Sequence, residues 1–363
     1  MAASLDGEFK EKISGYIRNQ LEKVKIQYGE KSREFKALAY QYVYDEEEKA
    51  ESNLVNTKHY ESVVQDTESQ EFPTGIERLY KRQLVIDITM VCAAHCRYCL
   101  RAYYDPIQIT KKDIDKIVEY SGKDPYLKEY LVTGGDPLMT PVLLKYLVSE
   151  TASKAPNIKI IRIGTRVPVQ APERMKDELF SFLENYKDKF QFEIGLQVNH
   201  RVELTNECIE VIQKLQKAGA KVYSQNVLLK GVNDDEESLL QLYDELRYLG
   251  VESHYLFHTI PMKGTSHLRT SVQSGLDLIQ RLTCSGRISG RAKPMYALMT
   301  DIGKIVLYEG SIIEKDAEEN IHLKTNYRLE DRTKWNPGYI LPDSAHVGED
   351  GYIRVKYLDG PAN

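Results

Sequence analysis

Three of the five cysteines in this 363-residue chain, Cys92, Cys96 and Cys99, fall within eight residues at the spacing C-x3-C-x2-C. Cysteine thiolates hold iron–sulfur clusters, and a cubane of four irons ordinarily takes four of them. Three local thiolates leave one iron open to a small molecule, as a catalytic zinc keeps a free position. Tyr98, just before the third thiol, can offer a flat face to an aromatic group beside the cluster. Two plainer readings compete: a zinc site completed by His95, and thiols that only fill a core. Both fit less well, because His95 lies inside the loop and the chain has no second C-x2-C pair for a structural zinc. Cys208 and Cys284 stand in helical patterns and read as small core hydrophobes.

The thiols follow the first of six β-branched runs: 84–91, 129–135, 158–165, 192–198, 221–229 and 252–260. Between them lie stretches such as NECIEVIQKLQKAGA, whose apolar residues recur every three or four positions. Such alternation predicts a parallel sheet with right-handed helical crossovers. Residues 1 to about 80 read as an added, highly charged helical layer, whose acidic run DEEEK is a solvated face. Residues 59–75 read as a connection, and the last 50, rich in turn signals, as a β-rich cap.

Apolar residues make up 42% of the chain and charged residues 28%, with a net charge of -5. This is a globular composition with no cationic field for nucleic acid or an anionic membrane. The amino terminus has no signal-peptide core, and no apolar run approaches the roughly 20 residues of a membrane span. The expectation is a cytoplasmic protein without a disulfide framework.

CAAHCRYC matches the cysteine loop of radical S-adenosylmethionine enzymes. VTGGDPL, IRIGTRVPV, VNH, QNVLLKGVND and HLRT resemble, in order, segments of the lysine 2,3-aminomutase family. The resemblance covers about Tyr80 to Gly310. It implies a partial (βα)6 TIM-like barrel over 79–300, a helical region over 1–78 and a β-rich extension over 301–363. It also implies a 4Fe-4S cluster on Cys92, Cys96 and Cys99, and S-adenosylmethionine as its partner. Each matched segment lies at the carboxyl end of an expected strand, where parallel barrels collect reactive groups. Gly134 and Gly135 would let backbone approach the methionine end, and Asp136 would accept from its ammonium or from a ribose hydroxyl. Arg166, His200 and Gln225 would line the adenosylmethionine and radical pocket, His258 would sit at the sixth strand end, and Arg101 would hold a substrate carboxylate.

The chain departs from that family where pyridoxal phosphate binds. The lysine loop is shortened, Gln83 stands at the position of a phosphate-binding arginine, and Ile260 and a position near Met299 replace two ammonium-binding aspartates. Lys304 best matches a lysine just before the following strand. The expectation is therefore hydrogen abstraction from an amino-acid or amine-like substrate without pyridoxal phosphate, ending in elimination, dehydrogenation, decarboxylation or epimerisation. The alternatives are an aminomutase that uses pyridoxal phosphate through Lys304 or Lys293, and radical modification of a peptide or protein side chain. The implied partners are a small substrate and an electron donor such as flavodoxin or ferredoxin, with room for a homo-oligomer.

Overall fold

The run Gln83–Thr89 forms a strand, β2, buried along its whole length, as expected of a strand covered on both faces of a parallel sheet. In the computed structural model, which describes residues 9–50, 72–103, 108–308 and 310–361, six further strands lie parallel to it. They are β3 (Glu129–Gly134), β4 (Ile160–Thr165), β5 (Gln191–Leu196), β6 (Lys221–Leu228), β7 (Glu252–His258) and β8 (Met295–Thr300). Short antiparallel strands, β1 (Ile76–Glu77) and β9 (Gly303–Val306), extend the two edges, so that nine strands follow in chain order. Crossovers of one hand put the helices on one face, and the sheet curls around the other into a half-barrel.

The six runs of the alternation are all parallel strands, and the further strand legible at KPMYALMT joins them as β8. The sheet also runs past both expected barrel boundaries, 79 and 300, because β1 and β9 join the edges without the crossover helices from which the rhythm was read. β3 and β4 alternate half-buried and buried residues. Their buried set, including Tyr130, Val132, Ile161 and Ile163, packs into the main apolar core. Their half-buried set, including Leu131, Thr133 and Gly164, faces a cavity. The helix Asn206–Lys217 buries Cys208, Val211, Ile212 and Leu215, as read from the sequence. Cys284 departs from that reading: it is exposed at the end of the helix Val272–Cys284, two residues past the buried Leu282 and so off its buried face.

Before the barrel come the helices Gly15–Tyr28 and Arg33–Ala39, capped by Ser14 and Ser32, and a short turn of helix at Glu46–Lys49. Most of the expected connection over 59–75 lies outside the described residues. The acidic run is not wholly solvated, for Glu48 turns inward to the buried Arg97, whose Nε donates at 2.8 Å. After the barrel, β10 (Ile312–Lys315), β11 (Asn320–Lys324), β12 (Ala345–Val347) and β13 (Ile353–Leu358) form an antiparallel sheet in the order β10-β11-β13-β12. Arg269 ties it to the barrel by donating to the carbonyls of Leu358, at 2.7 Å, and Asp359, at 3.1 Å. Among the described residues no helix is long and apolar enough to cross a membrane.

Candidate active site

The loop that leaves β2 is held by backbone bonds to the amino-terminal region. His95 N–H donates to the Lys12 carbonyl at 2.8 Å and Arg97 N–H to that of Gln41 at 2.9 Å. The loop in turn places Cys92, Cys96 and Cys99 on the wall of one cavity of about 260 Å³. Burial pushes the Cys92 thiol well up and that of Cys99 to about 11, with neighbouring thiols adding to both. As free acids these groups stay protonated, and a metal that replaces the proton makes them thiolates. Cys96 Sγ already faces two N–H donors, Arg166 Nη1 at 3.0 Å and Gln170 Nε2 at 3.3 Å. Among the described residues no three His, Cys, Asp or Glu converge on a point that one ion could fill. Three thiols spread along a wall, with donors aimed at sulfur, fit a body several ångströms across better than a lone zinc. His95, the fourth ligand of the zinc alternative, instead donates from Nδ1 to the Lys10 carbonyl at 2.8 Å and stacks on Phe9.

Gly134 and Gly135 line the cavity next to the thiols, but the role expected of them changes. A Cβ on Gly135 would lie 2.5 Å from the Val91 carbonyl oxygen and 2.6 Å from the Met90 carbonyl carbon. Gly134, at φ +113°, is closed off in the same way by Thr89. Both glycines let the end of β3 pack against the strand that leads into the cysteine loop. Asp136 is likewise committed within the chain. Its Oδ2 accepts from Arg166 N–H at 2.8 Å and Val167 N–H at 3.1 Å, its Oδ1 from Leu138 N–H at 3.0 Å, and the Thr165 hydroxyl serves either oxygen. Burial still pushes its carboxyl up to about 6.

Arg166 is buried and lines the cavity, yet its guanidinium is spent on protein groups. Besides Cys96 it donates to Tyr98 Oη, to Gln41 Oε1 at 3.1 Å and to Glu203. Tyr98 therefore gives its hydroxyl to this hub, which Asn199 also joins from 2.6 Å. His200 does not reach the cavity. Its Nδ1 accepts from Val202 N–H at 3.3 Å to cap a short turn, and burial lowers its pKa to about 4. His200 follows the end of β5, and the turn after it sets the direction of the ring. His258 lines the cavity with both nitrogens engaged. A carbonyl only accepts, so Nε2–H donates to Thr270 O at 2.7 Å, and Nδ1 accepts from Tyr357 Oη at 2.8 Å. With burial lowering its pKa to about 3, this ring anchors the β-rich sheet and is not poised for proton transfer. Gln225 faces the cavity from β6.

Glu77, Arg101 and Lys304 line the same cavity. Arg101 Nη2 stands 3.3 Å from Asp87 Oδ1 and 3.5 Å from Glu77 Oε1, and neither oxygen completes a hydrogen bond among the described residues. Burial, then the charge of Asp87, pushes the Glu77 carboxyl up to about 8. Lys304 lies within β9, its ammonium 5.7 and 5.9 Å from the ring centres of Tyr255 and Phe257. Burial, then Arg162 and Arg101, lowers its pKa to about 8, with Glu77 opposing. Arg162 itself is paired with Glu193 at 2.9 Å. Lys293 is exposed and away from the cavity lining. Sequence reasoning missed Glu77, Gln170 and the strand glycines Gly164 and Gly195, all of which line the cavity, and Asp87, which pairs with Arg101. A glycine inside a strand is a usable signal of close approach; the others carry none.

Residues 86–243 match the Radical SAM superfamily. The chain is 36% identical, over 63% of its own length and 62% of the other, to a protein of Aquifex aeolicus described provisionally as an L-lysine 2,3-aminomutase. It is 31% identical to the glutamate 2,3-aminomutase of Clostridioides difficile, over 69% of this chain and 64% of that one. To the L-lysine 2,3-aminomutase of Bacillus subtilis it is 30% identical, over 68% and 52% respectively. The chain thus spans less than two thirds of the length of these relatives.

Proposed function

Since the chain belongs to the lysine 2,3-aminomutase-like family of the radical S-adenosylmethionine superfamily, we propose that it abstracts hydrogen from a zwitterionic amino acid held directly by protein side chains, without pyridoxal phosphate. A 4Fe-4S cluster on Cys92, Cys96 and Cys99 supplies, when bound, the electron that cleaves S-adenosylmethionine, taken in turn from a one-electron donor of the flavodoxin or ferredoxin kind. Gln225, Gly164 and Gly195 line the cavity, which supports assigning them to the adenosyl group.

The observation that carries the reading is an incompletely paired acid and a base without an ion pair among the described residues, in the cavity that also holds the thiols. Glu77 is held protonated near neutrality by burial and then by the charge of Asp87, which Arg101 only partly offsets. A substrate ammonium beside it supplies the missing positive charge and lets it ionise. Lys304 is held partly neutral by burial and by two arginines, and a substrate carboxylate restores its charge. One zwitterion relieves both shifts, and Arg101, expected to hold the carboxylate, instead keeps the two acids in place.

The test is anaerobic reconstitution followed by incubation with deuterated amino acids, with their decarboxylated amines and with their deaminated acids. Mass spectrometry then follows label into 5′-deoxyadenosine. Label from the amino acid, and little from either truncated analogue, is expected; equal transfer from the amine alone sinks the zwitterion reading. A pyridoxal phosphate-dependent aminomutase is the second reading, favoured by the lowered pKa of Lys304 in the cavity. An imine absorbance band that Lys304→Ala abolishes would decide for it.

A further inference from the structure

Asp136 fixes the start of the loop after β4 by accepting the N–H groups of Arg166 and Val167. The short helix that follows, Val167–Gln170, brings Arg166 and Gln170 to one face, four residues apart. Both side chains end on the same atom, with Arg166 Nη1 at 3.0 Å and Gln170 Nε2 at 3.3 Å from Cys96 Sγ. Each is locked from behind. The Gln170 carbonyl accepts from the Ser14 hydroxyl at 2.5 Å. The Arg166 guanidinium bonds Glu203, Gln41 and Tyr98 and lies 5.1 Å from the centre of the Tyr42 ring. Among the described residues, Cys96 is the cluster cysteine on which side-chain N–H donors converge.

Hydrogen bonds to the sulfurs are one of the controls on the potential of an iron–sulfur cluster, because they draw electron density from the thiolate and stabilise the more negative, reduced state. Arg166 brings positive charge to the sulfur as well as a hydrogen bond, and Glu203 offsets part of that charge within the buried hub. We propose that Arg166 and Gln170 are positioning residues that raise the reduction potential of the cluster by donating two hydrogen bonds to Cys96, in place of the adenosylmethionine contact expected of Arg166. The inference rests on the cluster assigned under Proposed function. It makes the amino-terminal region, through Ser14 and Gln41, part of the machinery that sets how readily the cluster is reduced.

The experiment is a redox titration of the anaerobically reconstituted full chain, followed by electron paramagnetic resonance without adenosylmethionine or substrate. Gln170→Leu removes one donor at similar volume and is expected to move the midpoint to more negative values. A tenfold fall in the reduced-to-oxidised ratio at fixed poise corresponds to about 59 mV for a one-electron couple. Gln170→Glu, which adds negative charge, is expected to move it further, and it carries the test if Gln170→Leu fails to retain its iron. Arg166→Lys keeps the charge but loses the planar fork, and is expected to shift the midpoint in the same direction. Gln197→Leu removes an amide of the same size from the cavity wall without touching the Cys96 bonds and is expected to leave the midpoint in place. A full cluster whose midpoint is unmoved in both Gln170 variants, or moves equally in Gln197→Leu, overturns the inference alone. A wild-type chain that takes up no iron and sulfide overturns the cluster assignment and the inference with it.

Discussion

The two ends of the cavity are built on opposite terms. At one end most polar groups are already answered by the chain: Asp136 accepts from Leu138, Thr165, Arg166 and Val167, Arg166 is committed to four partners with only its Nε unmet, and His258 has both nitrogens engaged. Around Glu77, Asp87 and Lys304 the charges are buried but incompletely paired among the described residues. A region satisfied by itself holds geometry, whereas a region with unmet charge is completed by what binds there. Substitutions at the first end should therefore cost fold or cluster, and those at the second should cost binding.

The largest effect is expected at the first end. Cys96→Ala removes one of three thiols from a set with no spare ligand, so cluster iron and sulfide, and with them 5′-deoxyadenosine formation, should fall to background. Gly135→Ala acts through packing. The added Cβ meets backbone atoms of Met90 and Val91 at 2.6 and 2.5 Å, and backbone cannot swing aside as a side chain can, so a loss of about 3 kcal/mol in unfolding free energy is expected. An unchanged denaturation midpoint for Gly135→Ala would show that the loop is less rigid than the contacts imply.

His258 tests the same end by pH. Its pKa falls from 6.5 to about 3 on folding, so between those values the unfolded chain holds a proton that the folded chain does not. Its contribution to stability is whole above pH 6.5 and is lost as pH falls. Compared with His258→Asn, which does not titrate, the wild-type chain should lose up to about 1.4 kcal/mol more per pH unit between pH 6 and 4. Denaturant midpoints across that range measure the slope separately from the constant cost of the substitution. Parallel curves would mean that the ring is solvated and the β-rich sheet is not docked on it.

What could be read from the sequence was local. The cysteine spacing lies within one loop, and the alternation of β-branched runs with helical periods reports the parallel strands one after another. The misplaced residues depended on direction or distance. His200 follows the end of β5, but a three-residue turn takes its ring for a cap. The role of Gly135 depended on which backbone lay opposite, and that of Arg166 on a turn more than a hundred residues earlier, which supplies Gln41. Glu77 and Lys304 come together because β1 and β9 fold back on the two edges of the sheet; a strand is legible at 304–310, but its approach to the two-residue strand β1 depends on contacts far apart in the chain.

The smallest expected effect is also the sharpest test of the contrast. Glu77→Gln keeps the shape of the side chain but cannot accept an ammonium as a carboxylate does. It also removes a buried acid that repels Asp87, so the fold should lose nothing and could gain slightly at pH 9, where the wild-type carboxyl is ionised. For the zwitterionic substrate, KM should rise about tenfold, roughly 1.4 kcal/mol, with cluster content and the reduction potential unmoved. The wild-type KM should in turn be lowest near pH 8, where ionised Glu77 and protonated Lys304 coexist, and Glu77→Gln should flatten the acid side of that profile alone. If Glu77→Gln instead lowers the unfolding midpoint and leaves KM alone, the Glu77 end of the cavity is as self-satisfied as the cysteine end, and the division of labour between them fails.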